Sequence, residues 1–128
     1  VDTAIYHAIE FNACQNSKIQ DCNFLGFKQG TGNKEAIQLD VALKNSGNKA
    51  WDGTLCSNIE ISGCYLAPSE RLPAQPVFVD YGVFAYYWKN CIIANNIFGG
   101  EIDPVKAEGC VNLVMAENIY HDTVYPPF

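Results

Sequence analysis

The chain has 128 residues, 48% of them apolar, and a formal charge of −6, the make-up of one packed domain rather than a disordered chain. No cluster of Lys or Arg accompanies that charge, which removes the electrostatic footprint of a nucleic-acid binder. No run reaches the roughly 18 to 20 apolar residues of a membrane-spanning helix, and the first residues lack the basic and apolar regions of a secretory leader, so neither nucleic acid nor membrane is an expected partner.

Val1 runs at once into a strand-like pattern, and residues 1–128 are read as a single segment excerpted from a longer chain. In HAIEFNA (7–13) Ile9 and Phe11 alternate with Glu10 and Asn12, as on a strand whose successive side chains face opposite sides. CQNSKIQDCNF (14–24) follows. EAIQLDVA (35–42) repeats the alternation, with Ile37 and Leu39 set against Gln38 and Asp40. LKNSGNKAWDGTL (43–55) interrupts it as a loop that carries Trp51, before CSNIEISGCYL (56–66) and a second polar loop, APSERLPAQ (67–75).

QPVFVDYG (75–82) places Val77 and Val79 inward and Phe78 and Asp80 outward. A competing register over 83–87 puts Tyr86 in the place of Asp80. The apolar-aromatic stretch YGVFAYYW (81–88) leads into WKNCIIANNIF (88–98). DPVKAEG (103–109) then sets Val105 and Ala107 against Lys106 and Glu108, and CVNLVMAENIY (110–120) closes the series.

Four of these segments superpose without a gap, starting at Cys14, Cys56, Trp88 and Cys110. Each has Asn at its third position, an aliphatic or Met at the sixth, Cys or Asn at the ninth, and an aromatic or Leu at the eleventh. Asn16, Asn58, Asn90 and Asn112 are separated by 42, 32 and 22 residues. The shortest interval is close to one coil of a parallel β-solenoid, and the longer ones read as coils carrying loops. The apolar period is two rather than 3.6, which rules out a helical repeat. The expected fold is all-β, a single-stranded parallel β-helix of about four coils with loop insertions.

The series HAIEF, CNFLGF, EAIQLDVA, WDGTLCSNIEISGCYL, KNCIIANNIF and VNLVMAENIY resembles right-handed parallel β-helix proteins of the pectate-lyase-like superfamily, above all those of bacterial surface proteins and bacteriophage tails or tailspikes. The resemblance spans nearly the whole chain. Its motifs are repeat motifs, so they speak to fold more than to reaction. It implies right-handed coiling, a polysaccharide partner, a place on a virion tail or at the bacterial cell surface, and homotrimer formation through a longer parent chain. Binding, with cleavage by a hydrolase or lyase as an extension, is the expected function; a purely structural fibre segment is the alternative.

Equivalent outward positions on stacked coils form columns of neighbours about 4.8 Å apart. One column reads Asn12, Asp40, Asp80, Glu108 and the next Glu10, Gln38, Phe78, Lys106. Two carboxylates at such spacing suit glycoside hydrolysis, and like charges held close raise one pKa to leave an acid beside a base. Asp40 and Asp80 are the leading pair and Glu108 the third acid. Trp51, Phe78, Tyr86 and Tyr87 offer ring faces for sugars, with Glu10, Asn12, Gln38 and Lys106 as polar contacts. The bland alternative is an ordinary solvated acidic face with packing aromatics.

His7 and His121 fall near opposite ends and are read as surface residues. No CxxC, HExxH or EF-hand pattern occurs, so no cofactor is expected; calcium on the acid column would be an analogy with calcium-assisted lyases. The six cysteines sit at repeat positions, where Cys serves as a small core residue. Parallel stacking suits disulfide geometry poorly, and reduced thiols are expected, as in a protein assembled inside a cell.

Overall fold

The computed structural model describes residues 8–25, 35–40, 53–67, 81–99 and 103–121, and the regular structure among them is strand alone. In chain order these are β1 (Ile9–Asn12), β2 (Gln15–Gln20), β3 (Asn23–Leu25), β4 (Glu35–Asp40), β5 (Ser57–Ser62), β6 (Tyr65–Ala67), β7 (Tyr81–Tyr86), β8 (Lys89–Ala94), β9 (Ile97–Gly99), β10 (Asp103–Glu108), β11 (Val111–Ala116) and β12 (Ile119–His121). They make three four-stranded sheets, ordered β1-β4-β7-β10, β2-β5-β8-β11 and β3-β6-β9-β12. Every pairing is parallel. Each third strand therefore returns to the sheet it left, consistent with a parallel β-solenoid.

The repeat asparagine has a conformational cause. Asn16, Asn58, Asn90 and Asn112 have φ of 52, 53, 55 and 56°, the left-handed region that Asn enters more readily than most residues because its short amide bonds locally. A second left-handed position falls at Asp21, Gly63, Asn95 and Glu117, between the second and third sheets. These residues turn the chain without helices or long loops. Their amides also stack: Asn58 Nδ2 donates to Asn16 Oδ1 at 3.0 Å and Asn112 Nδ2 to Asn90 Oδ1 at 2.9 Å.

The inward columns build the core. Ile37, Leu39, Val83, Ala85 and Val105 come from the first sheet, Ile59, Ile61, Cys91 and Ile93 from the second, and Phe24, Leu66 and Phe98 from the third, all buried. Each large aliphatic removed from water in this way contributes about 1.5–3 kcal/mol. Trp88 replaces the cysteine of the other coils at the first repeat position. It is fully buried, and its indole N–H donates to Leu39 O at 2.6 Å, so its one polar atom is satisfied inside the core.

Phe11 holds its place in the inward column but is not buried. It pairs with Leu39 in register but is 61% exposed, because β1 is the outermost strand of its sheet. With Ile9, Cys14, Ile19, Leu39 and Ile59 it lines a cavity of about 390 Å³ at that end of the stack.

The third coil also differs from the leading expectation. Val83 and Ala85 pair with Ile37 and Leu39 on one side and with Val105 and Ala107 on the other. The inward places assigned to Val77 and Val79 are thus filled by the competing register. Spacing to the corner explains the choice: Ala85 stands three residues before Trp88, as Phe11 stands before Cys14 and Ala107 before Cys110. Val79 stands nine residues before Trp88, and its register would need an insertion at this corner, as between Leu39 and Cys56. Residues 77–80 lie outside the described residues.

Candidate functional site

The outward face of the first sheet carries two rows. Register sets Glu10 beside Gln38, Gln38 beside Phe84, and Phe84 beside Lys106. The second row sets Asn12 beside Asp40 and Tyr86 beside Glu108, with Tyr86 one residue beyond the Leu39–Ala85 pair. Tyr86 thus stands on the strand between those of Asp40 and Glu108.

Three rings gather at the middle of this face. Phe84 and Tyr86 project from the same side of β7 and stack with centroids 5.7 Å apart and planes 15° from parallel. Tyr86 meets Tyr87 edge to face at 4.6 Å and 82°. Tyr87 can turn toward the other two because its own backbone is left-handed, φ 56°. Its ring lies over Gly109 of the next coil, where an added Cβ would come within 2.8 Å of three ring atoms. That glycine makes room for the ring as well as a turn at φ 66°.

Phe84 and Tyr86 are half-buried, and Tyr87 is 41% exposed. Glu10, Asn12, Lys106 and Glu108 are exposed around them, with Gln38 half-buried. The face therefore combines apolar ring surface with an ammonium, carboxylates and amides on neighbouring strands. Rings offer stacking area, and the polar groups offer directional hydrogen bonds. Such a surface suits an amphipathic ligand lying along the sheet.

Of the residues expected to act, Glu10, Asn12, Gln38, Tyr86, Tyr87, Lys106 and Glu108 share this face. Asp40 holds its strand position there. Asp80, Trp51 and Phe78 lie outside the described residues, as does His7; His121 ends β12 in the third sheet. Phe84 was not among the expected residues and is central. Its signal is the alternation Val83, Phe84, Ala85, Tyr86, read at the corner spacing of Phe11–Cys14 and Ala107–Cys110.

The described residues hold no group of three or more His, Cys, Asp or Glu side chains that could bind a metal ion. All six cysteines are free. On the second sheet the outward face changes from polar to aliphatic along the stack: Lys18 pairs with Glu60 at 3.5 Å, whereas Ile92 and Val114 stand side by side and exposed. Compared with known families, curated proteins and solved structures, the chain matches none.

Proposed function

We propose that the chain is a right-handed parallel β-helix of four coils, of the pectate-lyase-like kind, that binds a polysaccharide along the outward face of its first sheet. The observation that carries this reading is the Phe84–Tyr86–Tyr87 cluster. Solvent-accessible rings in mutual contact on a strand face provide an apolar surface to which the C–H faces of sugar rings are complementary. Lys106, Glu108, Gln38 and Glu10 supply hydrogen-bond partners for hydroxyl groups at the margin. A tail or cell-surface protein of phage or bacterial origin, trimeric through a longer parent chain, is the setting this reading suits.

Binding is favoured over cleavage. Asp40 and Glu108 occupy strands separated by β7, two strand spacings or about 10 Å in backbone terms. That exceeds the roughly 5–5.5 Å of a retaining carboxylate pair and lies at the upper limit for an inverting one. Tyr86 interrupts the acid column between them. Turnover by this face would require Asp80 or another carboxylate to complete the pair.

The test is affinity for a panel of bacterial surface polysaccharides, measured with the wild-type chain and with Tyr87→Ala and Phe84→Ala. A selective glycan should bind and should lose at least tenfold in affinity with either variant; unchanged affinity would remove the face from the reading. The exposed Ile92–Val114 pair favours a second reading, a structural segment that packs against another chain. It predicts no glycan binding and a change of oligomeric state for Ile92→Lys.

A further inference from the structure

Cysteine replaces asparagine at two successive places in one ladder. The ninth repeat positions are Cys22, Cys64, Asn96 and Asn118. In the last two coils an amide reaches back to the preceding coil: Asn118 Nδ2 donates to Ile93 O, and Asn96 Nδ2 to Ile61 O, each at 2.9 Å. In the first two coils the same column presents two thiols.

Their geometry is matched. Each thiol addresses the carbonyl two residues before it, Cys22 Sγ to Gln20 O at 3.2 Å and Cys64 Sγ to Ser62 O at 3.5 Å. Gln20 and Ser62 are register partners, and so are Asn23 and Tyr65 on the other side of the corner. Equivalent bonds from stacked backbone positions mean equivalent side-chain directions. The two sulfurs therefore project alongside one another, separated by about one strand spacing, roughly 4.8 Å. Cys64 Sγ also lies 3.6 Å from Ile19 O, on the side of the Cys22 coil.

That spacing discriminates between two fates of a thiol pair. A disulfide needs sulfurs at about 2.05 Å and Cβ atoms near 3.8 Å, so both side chains would have to leave their present rotamers. A linear thiolate–metal–thiolate bridge needs sulfurs about two metal–sulfur bonds apart, more than 4 Å, one such bond being about 2.3 Å where the metal is zinc. Parallel thiols at strand spacing meet the second requirement. Soft thiolate ligands favour copper(I)-like ions.

We propose that Cys22 and Cys64 form a two-coordinate bis-thiolate site for a soft monovalent cation of the copper(I) class. On binding, both S–H bonds break, two S–metal bonds form and two protons go to solvent; no electron is transferred. The remaining net charge of the site is −1. Cys64 is buried and Cys22 half-buried, so the ion enters from the Cys22 side and is shielded on the other. Asp21 contributes a carboxylate over Gly63, next to Cys64 in the chain, which favours a cation.

The test uses the reduced chain without oxygen, with copper(I) as the probe and a chromophoric copper(I) chelator as competitor. Cys64→Asn installs the residue that the ladder itself uses in Asn96 and Asn118, and so retains the fold while removing a thiolate. Wild type should hold copper(I) against the chelator and release two protons per ion. Cys64→Asn and Cys22→Ser should each weaken that site by at least about a hundredfold, with Cys14→Ser unchanged. Copper(I) retained at wild-type affinity by Cys64→Asn, or lost equally from Cys14→Ser, would overturn the assignment, as would failure of wild type to compete.

Discussion

Asn96 Oδ1 accepts the backbone N–H of Cys64 at 2.9 Å, joining the third coil to the second through one side chain. The same amide donates to Ile61 O at 2.9 Å, and its residue is only 1% exposed. Asn118 repeats the arrangement one coil on, accepting from Asn96 N at 3.0 Å. A buried polar group that is fully paired fixes the stacking register, because a shifted coil would leave it unpaired.

Replacing Asn96 with Ala strands the Cys64 N–H and the Ile61 carbonyl inside the core. Each such group costs about 1–3 kcal/mol. The variant should lose about 2–4 kcal/mol in urea unfolding. Cys64→Asn should stay within about 1 kcal/mol of wild type, since the new amide can reach Ile19 O and the Cys22 N–H as its counterparts do.

Gly82 allows β7 and β10 to approach. A Cβ there would lie 2.8 Å from Pro104 O and 2.9 Å from Phe98 Cδ1. Neither the backbone carbonyl nor a fully buried ring can move freely, and overpacking of this kind costs about 1–3 kcal/mol. Gly82→Ala should lower the thermal midpoint, whereas an alanine at the exposed strand position Val111 should leave it nearly unchanged.

Gly109→Ala tests the aromatic face from beneath. The added methyl group collides with the Tyr87 ring and strains a backbone at φ 66°. About 1–2 kcal/mol of stability should be lost, and the ring should be displaced from Tyr86. If the face binds a glycan, affinity should fall in Gly109→Ala about as far as in Tyr87→Ala. Near-ultraviolet circular dichroism reports the ring displacement independently of any ligand.

Alkaline pH should unfold the chain in a calculable direction. Burial pushes the Cys64 and Cys91 thiols above their usual 9.0, and the Tyr120 hydroxyl above its usual 10.0. Above those values the unfolded chain has released protons that the folded chain still holds, so stability falls as pH rises. Their contribution is fully present below about pH 9 and is lost as pH climbs through the raised folded values. Urea midpoints under reducing conditions should drop between pH 8 and pH 10.5, with a smaller drop in Cys91→Ala. An equal drop in that variant would remove Cys91 from the account.

The sequence by itself determined the strand period, the Asn and Cys ladders and the inward places of Ile37, Leu39 and Val105. These are local in origin: alternation assigns a face to each side chain, and the left-handed position at the start of the second sheet takes Asn in all four repeats. It marked position eleven of the repeat as aromatic or Leu, without showing that Phe24, Leu66, Phe98 and Tyr120 lie on a third sheet of three-residue strands. Such strands are too short to display a period.

The third coil was decided by tertiary structure. Val77–Val79 and Val83–Ala85 alternate equally well as isolated strings. Only stacking between Leu39 on one side and Ala107 on the other, with Trp88 delivered to the buried corner, selects the second. That choice replaces an uninterrupted acid column with a tyrosine and brings Phe84, Tyr86 and Tyr87 together. Strand periodicity specifies which face a residue occupies; its neighbours on that face depend on how far the chain travels before it stacks.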